Sequence, residues 1–374
     1  MVRQTLHDEI MGNILVLNAG SSSLKFAVFE HLRPVLKGQI SGIGTSARFE
    51  ATNTPAHDLP EISTLPEAQA FLTKWLKKQG HRVNHFSAIG HRIVHGGSRY
   101  VSPIRVDDRI QQELTELQAL APLHQPFGLG VLWEMRKLAP HVPHIACFDT
   151  AFHATQPELT TRLPLPRDYH ARGYRRYGFH GLNYEHVVAA LPDITGKPLP
   201  RRLLVAHLGN GASMCAIRDG RSIATTMGYS TADGLIMSTR TGSIDPGVLI
   251  ALMRDDNLNA AALENLLYRQ SGLLGLSGLS SDMRVLLRSE SPEAKEAIAH
   301  YCYAAARHAG SLAVALGGID AIVFTGGIGE NAESVRSGIL AHLAWLKVPA
   351  EQIFVVPANE ELAIARHVAA LVGS

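Results

Sequence analysis

The sequence predicts an α/β protein assembled from a duplicated unit, and three observations carry that expectation. Leu15–Val28 (LVLNAGSSSLKFAV) and Leu204–Ile217 (LVAHLGNGASMCAI), 189 positions apart, both run apolar strand, small-residue turn, apolar strand, with Gly20 and Gly209 in register. Short apolar runs alternate with amphipathic stretches along both halves, the rhythm of strands alternating with helices. Finally, 374 residues are long for one hydrophobic core and comfortable for two domains of ordinary size.

Each hairpin turns through Gly, Ser and Asn, a composition that puts backbone N–H groups and hydroxyls at the tip, where they can cradle phosphate oxygens. From Gly38 to Pro60 the chain is rich in Gly, Ser, Thr and Pro and is expected to be a loop. Ala68, Phe71, Leu72, Trp75 and Leu76 fall on one stripe and predict a helix over about Pro66–Gly80. Phe86–Ile89 reads as a strand leading into His91, Arg92 and His95, which places those groups at a strand end, where α/β proteins put their chemistry. Helices near Asp107–Leu120 and Gly128–Leu138 flank the turn APLHQP, and Ile145–Phe148 is a buried strand ending at Asp149. After the second hairpin and the segment Ser222–Gly247, helices reach about Leu274 and a long one covers Pro292–Leu316. Ala321–Phe324 is a strand that stops at the glycine turn TGGIGEN, with a helix from near Ala332, a layout that aims N–H groups at a phosphate. A strand at Ile353–Val356 and a helix from about Asn359, with Leu362, Ile364, Ala365 and Val368 as its apolar face, close the chain.

Composition narrows the class. The chain is 46% hydrophobic and 18% charged, and 35 basic residues stand against 33 acidic ones without a Lys/Arg block, so nucleic acid and anionic membrane are not expected as partners. Cys147, Cys215 and Cys302 lie far apart in apolar surroundings and imply a reduced, cytoplasmic protein with buried thiols. No apolar run is long enough to span a bilayer, and the first eleven residues are too polar for a signal-peptide core. Residues 1–12 read as an extension, with Met11 an alternative start. Among the 19 histidines, His91 and His95 are four apart, but no HExxH pattern or zinc-spaced Cys pair accompanies them, so a structural or substrate-side role is expected.

The chain lacks GxxxxGK[ST], GxSxG and a GxGxxG near its start. What remains is a set of charged groups flanked by glycine or set at strand ends: Arg92 in GHRIVHGG, His124 in APLHQP, Asp149 in CFDTAFHATQP, His180 in RRYGFHG and Arg240 in MSTRTGSIDPG. Phosphoryl transfer asks a protein mainly for positioning and for cationic or hydrogen-bond donors around the equatorial oxygens. Arginine supplies permanently charged forks, histidine donates without excess charge, and an acid such as Asp149 can orient an arginine or hold Mg2+ through water. Together with two phosphate-type turns, the set suits a kinase.

The segments VLNAGSSSLKF, GHRIVHGG, APLHQP, FDTAFH, RRYGFHG, HLGNGAS, STRTGSIDPG, SSDMR, FTGGIGENA and NEELAIAR, in this order, resemble the acetate and propionate kinase family from Asn13 to about Val372. That resemblance implies a duplicated actin-like (ribonuclease H-like) two-domain α/β fold with a central cleft, shared with sugar kinases, actin and heat-shock ATPases. Residues 13–150 plus 360–374 would form the N-terminal domain and 151–359 the C-terminal, nucleotide-binding domain. The implied activity is reversible transfer of the ATP γ-phosphoryl to acetate, giving acetyl phosphate and ADP by direct in-line displacement. Mg2+ is the implied metal, with Mn2+ possible, and the implied assembly is a homodimer. A propionate or other short-chain acyl kinase is the alternative, an actin-like nucleotide-binding module without acyl acceptor the remote one, and GTP or pyrophosphate stay open as donors.

Carried over position by position, the resemblance implies that Asn18, Ser21, Ser23 and Lys25 face the phosphoryl and metal region. Arg92 and Arg240 would neutralise the transferring phosphoryl and hold the carboxylate, His180 would stabilise the transition state, Asp149 would align the site and His124 would support it. His207, Leu208, Gly209, Asn210 and Gly211 match the phosphate-binding hairpin. Asp282, Met283, Arg284, Gly327, Ile328, Gly329 and Asn331 match the nucleotide pocket. Glu360, with Asn18, corresponds to the magnesium site, and Val94, Leu123 and Phe179 to the acyl pocket. The chain departs from the family's pattern at Thr231 (a pocket proline), Gln125 (Asn), Phe127 and Gly128 (a Pro/Asn pair), Ser238 (Gly) and Met283 (an aromatic near the adenine, where a thioether can pack). Its segment from Ser41 to Leu65 is short for the family.

Overall fold

The computed structural model describes residues 12–373, so the expectations about the leader and Met11 lie outside the described residues. They divide into two compact units, one formed by the chain through Ala151 together with Asn359 onward, the other by Phe152–Ala358.

The first unit is built on an eight-stranded sheet in the order β5-β4-β3-β2-β1-β6-β8-β7. Its strands are β1 (Ile14–Ala19), β2 (Ser23–Glu30), β3 (Arg33–Ser41), β4 (Arg48–Ala51), β5 (Thr54–Asp58), β6 (Ala88–Ile93), β7 (Ile104–Arg105) and β8 (His144–Phe148). β1 is buried at every position, as a central strand covered on both faces should be. The segment expected to be a loop from Gly38 to Pro60 instead carries the end of β3 and all of β4 and β5. Ile40 and Phe49 are fully buried there, and Phe49 meets Phe26, Phe71 and Trp75. Turn residues dominate so short a meander and hide its period-two pattern.

β6 also runs past its expected end at Ile89. It pairs parallel with β1 (Leu17 opposite His91) and with β8 (Arg92 opposite Cys147), so His91 and Arg92 lie within the strand and only His95 lies beyond it. A central strand tolerates His91 because its Nε2 lies 3.0 Å from Nδ1 of His144, whose Nε2 reaches the Ala139 carbonyl. The helix Leu65–Lys78 starts at a capping box made by Thr64 and Glu67. Gln125–Leu138 forms a helix three residues longer at its start than expected, with Pro126 in its first turn. The C-terminal helix Glu360–Val372 is capped by Asn359, whose side chain accepts from the Leu362 N–H at 3.1 Å. It packs over Gly90 of β6, where a side-chain carbon would stand 2.5 Å from Ile364 Cγ2 and 2.7 Å from Val368 Cγ2.

The second unit has five strands in the order β11-β10-β9-β12-β13: β9 (Arg202–Leu208), β10 (Ala212–Arg218), β11 (Arg221–Thr225), β12 (Ala321–Thr325) and β13 (Ile353–Val355). β9 to β11 are antiparallel neighbours, and β12 and β13 join parallel. The segment β3-β2-β1-β6-β8 of the first unit repeats this order and these directions. The two related hairpins are thus β1–β2 and β9–β10, connected through Gly20–Ser22 and Gly209–Gly211. The segment TGGIGEN is a short helix, Gly326–Asn331, rather than a turn. Gly326, at φ 80°, makes the sharp exit from β12, and Glu330 Oε1 accepts from its N–H at 2.9 Å, which closes the turn into a helix. The helix Gly181–Thr195 has no counterpart in the expectations; it buries Tyr184, Val187 and Leu191, and Pro192 near its end interrupts its period. Cys147, Cys215 and Cys302 are free and buried. No helix of the described residues is long and apolar enough to cross a membrane.

Candidate functional site

In the first unit, parallel pairing brings the ends of β1, β6 and β8 side by side, and each delivers one polar group. Arg92 Nε donates to Asp149 Oδ1 and Oδ2 at 3.0 and 3.1 Å, and Nη2 donates to Oδ2 at 2.5 Å. Nη1 donates to Asn18 Oδ1 at 3.4 Å. The amide nitrogen of Asn18 donates in turn to Glu360 Oε2 at 2.8 Å and Glu361 Oε1 at 2.9 Å, while Glu360 Oε2 stands 3.6 Å from Arg92 Nε. Asp149 is 1% exposed and Asn18 5%, so the guanidinium is held from a dry side. Burial lifts the Asp149 carboxyl to about 6 against the opposing pull of Arg92. Burial also disfavours the Arg92 charge, but Asp149, Glu360 and Glu361 outweigh it and hold the guanidinium above its ordinary range.

Around this cluster, Lys25 is exposed and pairs opposite Asn18 across the hairpin, with Ser21 and Ser23 in or beside its turn. Val94 is buried, Leu123 and His124 half-buried. Gln125, a departure from the family's pattern, clamps the His95 backbone both ways: Oε1 accepts from its N–H at 2.9 Å and Nε2 donates to its carbonyl at 2.8 Å.

In the second unit the rings of His180 and His207 stack with centroids 4.2 Å apart. His180 Nδ1 lies 2.9 Å from Ser213 Oγ, and Ser213 Oγ lies 2.5 Å from Tyr184 Oη. Asn183 Nδ2 reaches His207 Nδ1 at 2.9 Å and Thr325 Oγ1 at 3.2 Å. Gly211 sits against two candidate donors: a side-chain carbon there would lie 3.3 Å from Arg240 Nη2 and from His180 Nε2. Arg240 Nη1 donates to the Thr231 carbonyl at 2.9 Å, and Ser238 bonds Asn210 through its N–H and its hydroxyl, each at 3.3 Å, which straps the STRTG loop to the hairpin tip. Gly326 approaches the Leu208 carbonyl so closely that a side-chain carbon would stand 2.8 Å from it, and Gly327 faces open space beside Gly209. Leu208 and Gly329 are buried, Ile328 half-buried, and Asn331 Nδ2 holds the Gly327 carbonyl at 2.9 Å. Asp282 caps the helix Met283–Arg288 and pairs with Arg284 at 2.6 Å. Met283, expected beside an adenine, is 3% exposed and packs into the core. Phe179, fully buried, belongs to this unit, whereas Val94 and Leu123 belong to the first.

Asn18, Arg92, Asp149 and Glu360 therefore form one cluster, and His180, His207, Gly209, Gly211, Arg240 and Gly327 another. Sequence reasoning missed Glu361, Asn183, Tyr184 and Ser213. Hairpin register contains the signal for Ser213, which pairs opposite His207, and helical spacing contains it for Asn183 and Tyr184, three and four residues beyond His180.

The profile of the Acetokinase family matches residues 13–361. The acetate kinase of Rhodopseudomonas palustris is 44% identical over 389 residues, covering 95% of this chain and 97% of that one. The acetate kinase of Rickettsia akari is 40% identical over 379 residues, covering 95% and 98%. Among solved structures, a propionate kinase from Francisella tularensis superposes with a TM-score of 0.87 at 33% identity, covering 96% of this chain and 99% of that chain. The Porphyromonas gingivalis acetate kinase does so at 0.86 and 32%, covering 97% and 100%. With a profile match and relatives that both run almost end to end, the duplicated two-unit α/β chain belongs to the acetokinase family.

Proposed function

We propose that this phosphotransferase, whose acceptor is the carboxyl group of acetate, moves the γ-phosphoryl of ATP directly onto a carboxylate oxygen, in line and without a phosphoenzyme. The observation that carries the reading is the Arg92–Asp149–Asn18 cluster: a guanidinium held on three of its donors by neutral and acidic groups at strand ends. Acetate is already an anion and needs no general base. The new P–O bond forms to the acetate oxygen as the P–O bond to ADP breaks, and ADP leaves with the electron pair. The barrier is the approach of two anions, and preorganised donors lower it. In this reading Arg92 and Arg240 neutralise the transferring group and hold the carboxylate, and His180 donates to the developing charge. Asp149 keeps Arg92 in place. His207–Gly211 and Gly327 receive the donor's phosphates, Asp282–Arg284 and Asn331 border the nucleoside, and Val94, Leu123 and Phe179 line the acyl side, with His124 in support.

The donor set fits Mg2+ or Mn2+. Arg92 faces three carboxylates, those of Asp149, Glu360 and Glu361, an excess of negative charge that a divalent cation would offset. A cation of this kind is commonly held by one or two carboxylates together with substrate phosphates and water. Glu360 and Glu361, with Asn18, would hold it, and its charge would screen the phosphates.

A cytoplasmic homodimer completes the proposal. The three free thiols support a reducing compartment. On the helix Pro246–Asp255 all ten residues are at least partly exposed, and Ile250 and Met253, three apart, share one face, an exposed apolar surface suited to a second copy. A propionate preference is the second reading, because the buried Thr231 stands where the family's pattern has a pocket proline and bears on acyl-chain choice, and a propionate kinase from Francisella is among the similar solved structures. Trapping acyl phosphate as hydroxamate from acetate, propionate and butyrate, each with ATP, GTP and pyrophosphate, decides the matter. Acetate with ATP should give the highest kcat/KM; a clear preference for propionate overturns the acceptor, and acyl-independent ATP hydrolysis overturns the whole reading.

A further inference from the structure

We propose that Tyr184 and Ser213 are positioning residues that fix His180 as the neutral tautomer carrying its proton on Nε2, through a relay Tyr184 Oη–H to Ser213 Oγ–H to His180 Nδ1. The inference rests on the reading of His180 as a donor in phosphoryl transfer.

The direction of the relay follows from what each atom can do. Tyr184 is fully buried, and its hydroxyl makes one hydrogen bond among the described residues, to Ser213 Oγ at 2.5 Å. Burial, reinforced by the neighbouring Cys215, pushes the phenol well above its ordinary range, so it keeps its hydrogen. A buried hydroxyl hydrogen left without an acceptor carries the full cost of its lost hydration, so Tyr184 donates and Ser213 accepts. Ser213, itself fully buried, then has its own hydrogen to place, and its other partner is His180 Nδ1 at 2.9 Å. An imidazole nitrogen that accepts carries no proton, so the neutral ring bears it on Nε2. The reverse order, with His180 Nδ1–H donating to Ser213, always strands one buried hydroxyl hydrogen: that of Ser213 if Tyr184 also donates to it, or that of Tyr184 if Ser213 donates to the phenol.

Nε2 is the atom that matters for chemistry. It stands at Gly211, as close to the empty Cβ position as Arg240 Nη2, each at 3.3 Å. The relay therefore presents a neutral N–H beside a guanidinium at the hairpin tip. The fold builds it economically. His180 sits in the left-handed region at φ 60°, at the start of the helix Gly181–Thr195 and four residues before Tyr184, and both side chains reach Ser213. Ser213 arrives from β10, opposite His207, whose ring stacks on that of His180.

The test uses the full-length enzyme with 15N-labelled histidine. Long-range 15N–1H correlation reads the tautomer, and the His180 signals are those lost in His180→Gln. The wild type should show the Nε2–H form. Tyr184→Phe keeps the ring and should give a mixture of tautomers and a kcat lower by about tenfold, roughly one hydrogen bond, with KM for ATP within about twofold. Ser213→Ala should do the same, and the double variant should be no slower than Ser213→Ala alone. An Nδ1–H tautomer in the wild type, or an unchanged Nε2–H tautomer in both single variants, overturns the relay. Undiminished turnover in His180→Gln instead overturns the donor role of His180 and leaves the tautomer result standing.

Discussion

Arg92 keeps its charge at any working pH, so what the protein must supply is its orientation. Asp149 occupies Nε and Nη2, and Asn18 takes Nη1. Truncating Arg92 or Arg240 to Ala should lower kcat by about two to three orders of magnitude, some 2–4 kcal/mol of barrier, as for loss of one preorganised donor. The hydroxamate assay reads the loss, and near-normal turnover in both variants would sink the mechanism. The same cluster sets a pH dependence. Burial raises Asp149 to about 6, so the carboxylate is ionised and grips Arg92 above that pH and becomes neutral below it. Turnover should fall as pH drops through about 6. Asp149→Asn should be slow at neutral pH and lack that acid limb; an unshifted limb in a kcat–pH profile assigns it to another group.

At the scale of elements, the C-terminal helix matters as much as the strands, because Glu360 and Glu361 ride on its first turn. Gly90 sets how closely it approaches β6. Gly90→Val would overpack against Ile364 and Val368, costing about 1–3 kcal/mol, and Gly90→Ala less. Thermal unfolding should show the graded loss, and turnover should fall with it as the glutamates leave Asn18; full activity in Gly90→Val would separate the helix from the chemistry. The hairpins were legible because both carry the same apolar-turn-apolar pattern. The meander from β3 to β5 was not, since turn residues outnumber the buried Ile40 and Phe49 that order it. The expected end of β6 at Ile89 falls four residues short of Ile93 because a histidine inside a strand looks like a boundary until its partner, His144, is known.

At the scale of the whole molecule, the same strand order and directions occur in both units, which makes the internal repeat of the sequence an architectural one. The uncovered helix Pro246–Asp255 leads to a prediction about assembly. In sedimentation velocity the protein should run as a dimer, and Ile250→Asp, changing a side chain that is 63% exposed, should shift it to monomer with its thermal stability otherwise kept. A monomeric wild type would overturn the homodimer.

The sequence by itself determined the α/β class, the duplication and the identity of the charged and histidine groups, because backbone periodicity, turn chemistry and side-chain type are local properties. Only the tertiary structure decided the partners. Asn18 meets Glu360 across 342 positions of chain, Arg92 meets Asp149 across 57, and His180 reaches Ser213 across 33. Those meetings depend on which strands pair, in which register, and on where the last helix returns, and no local pattern encodes the closure of loops that long.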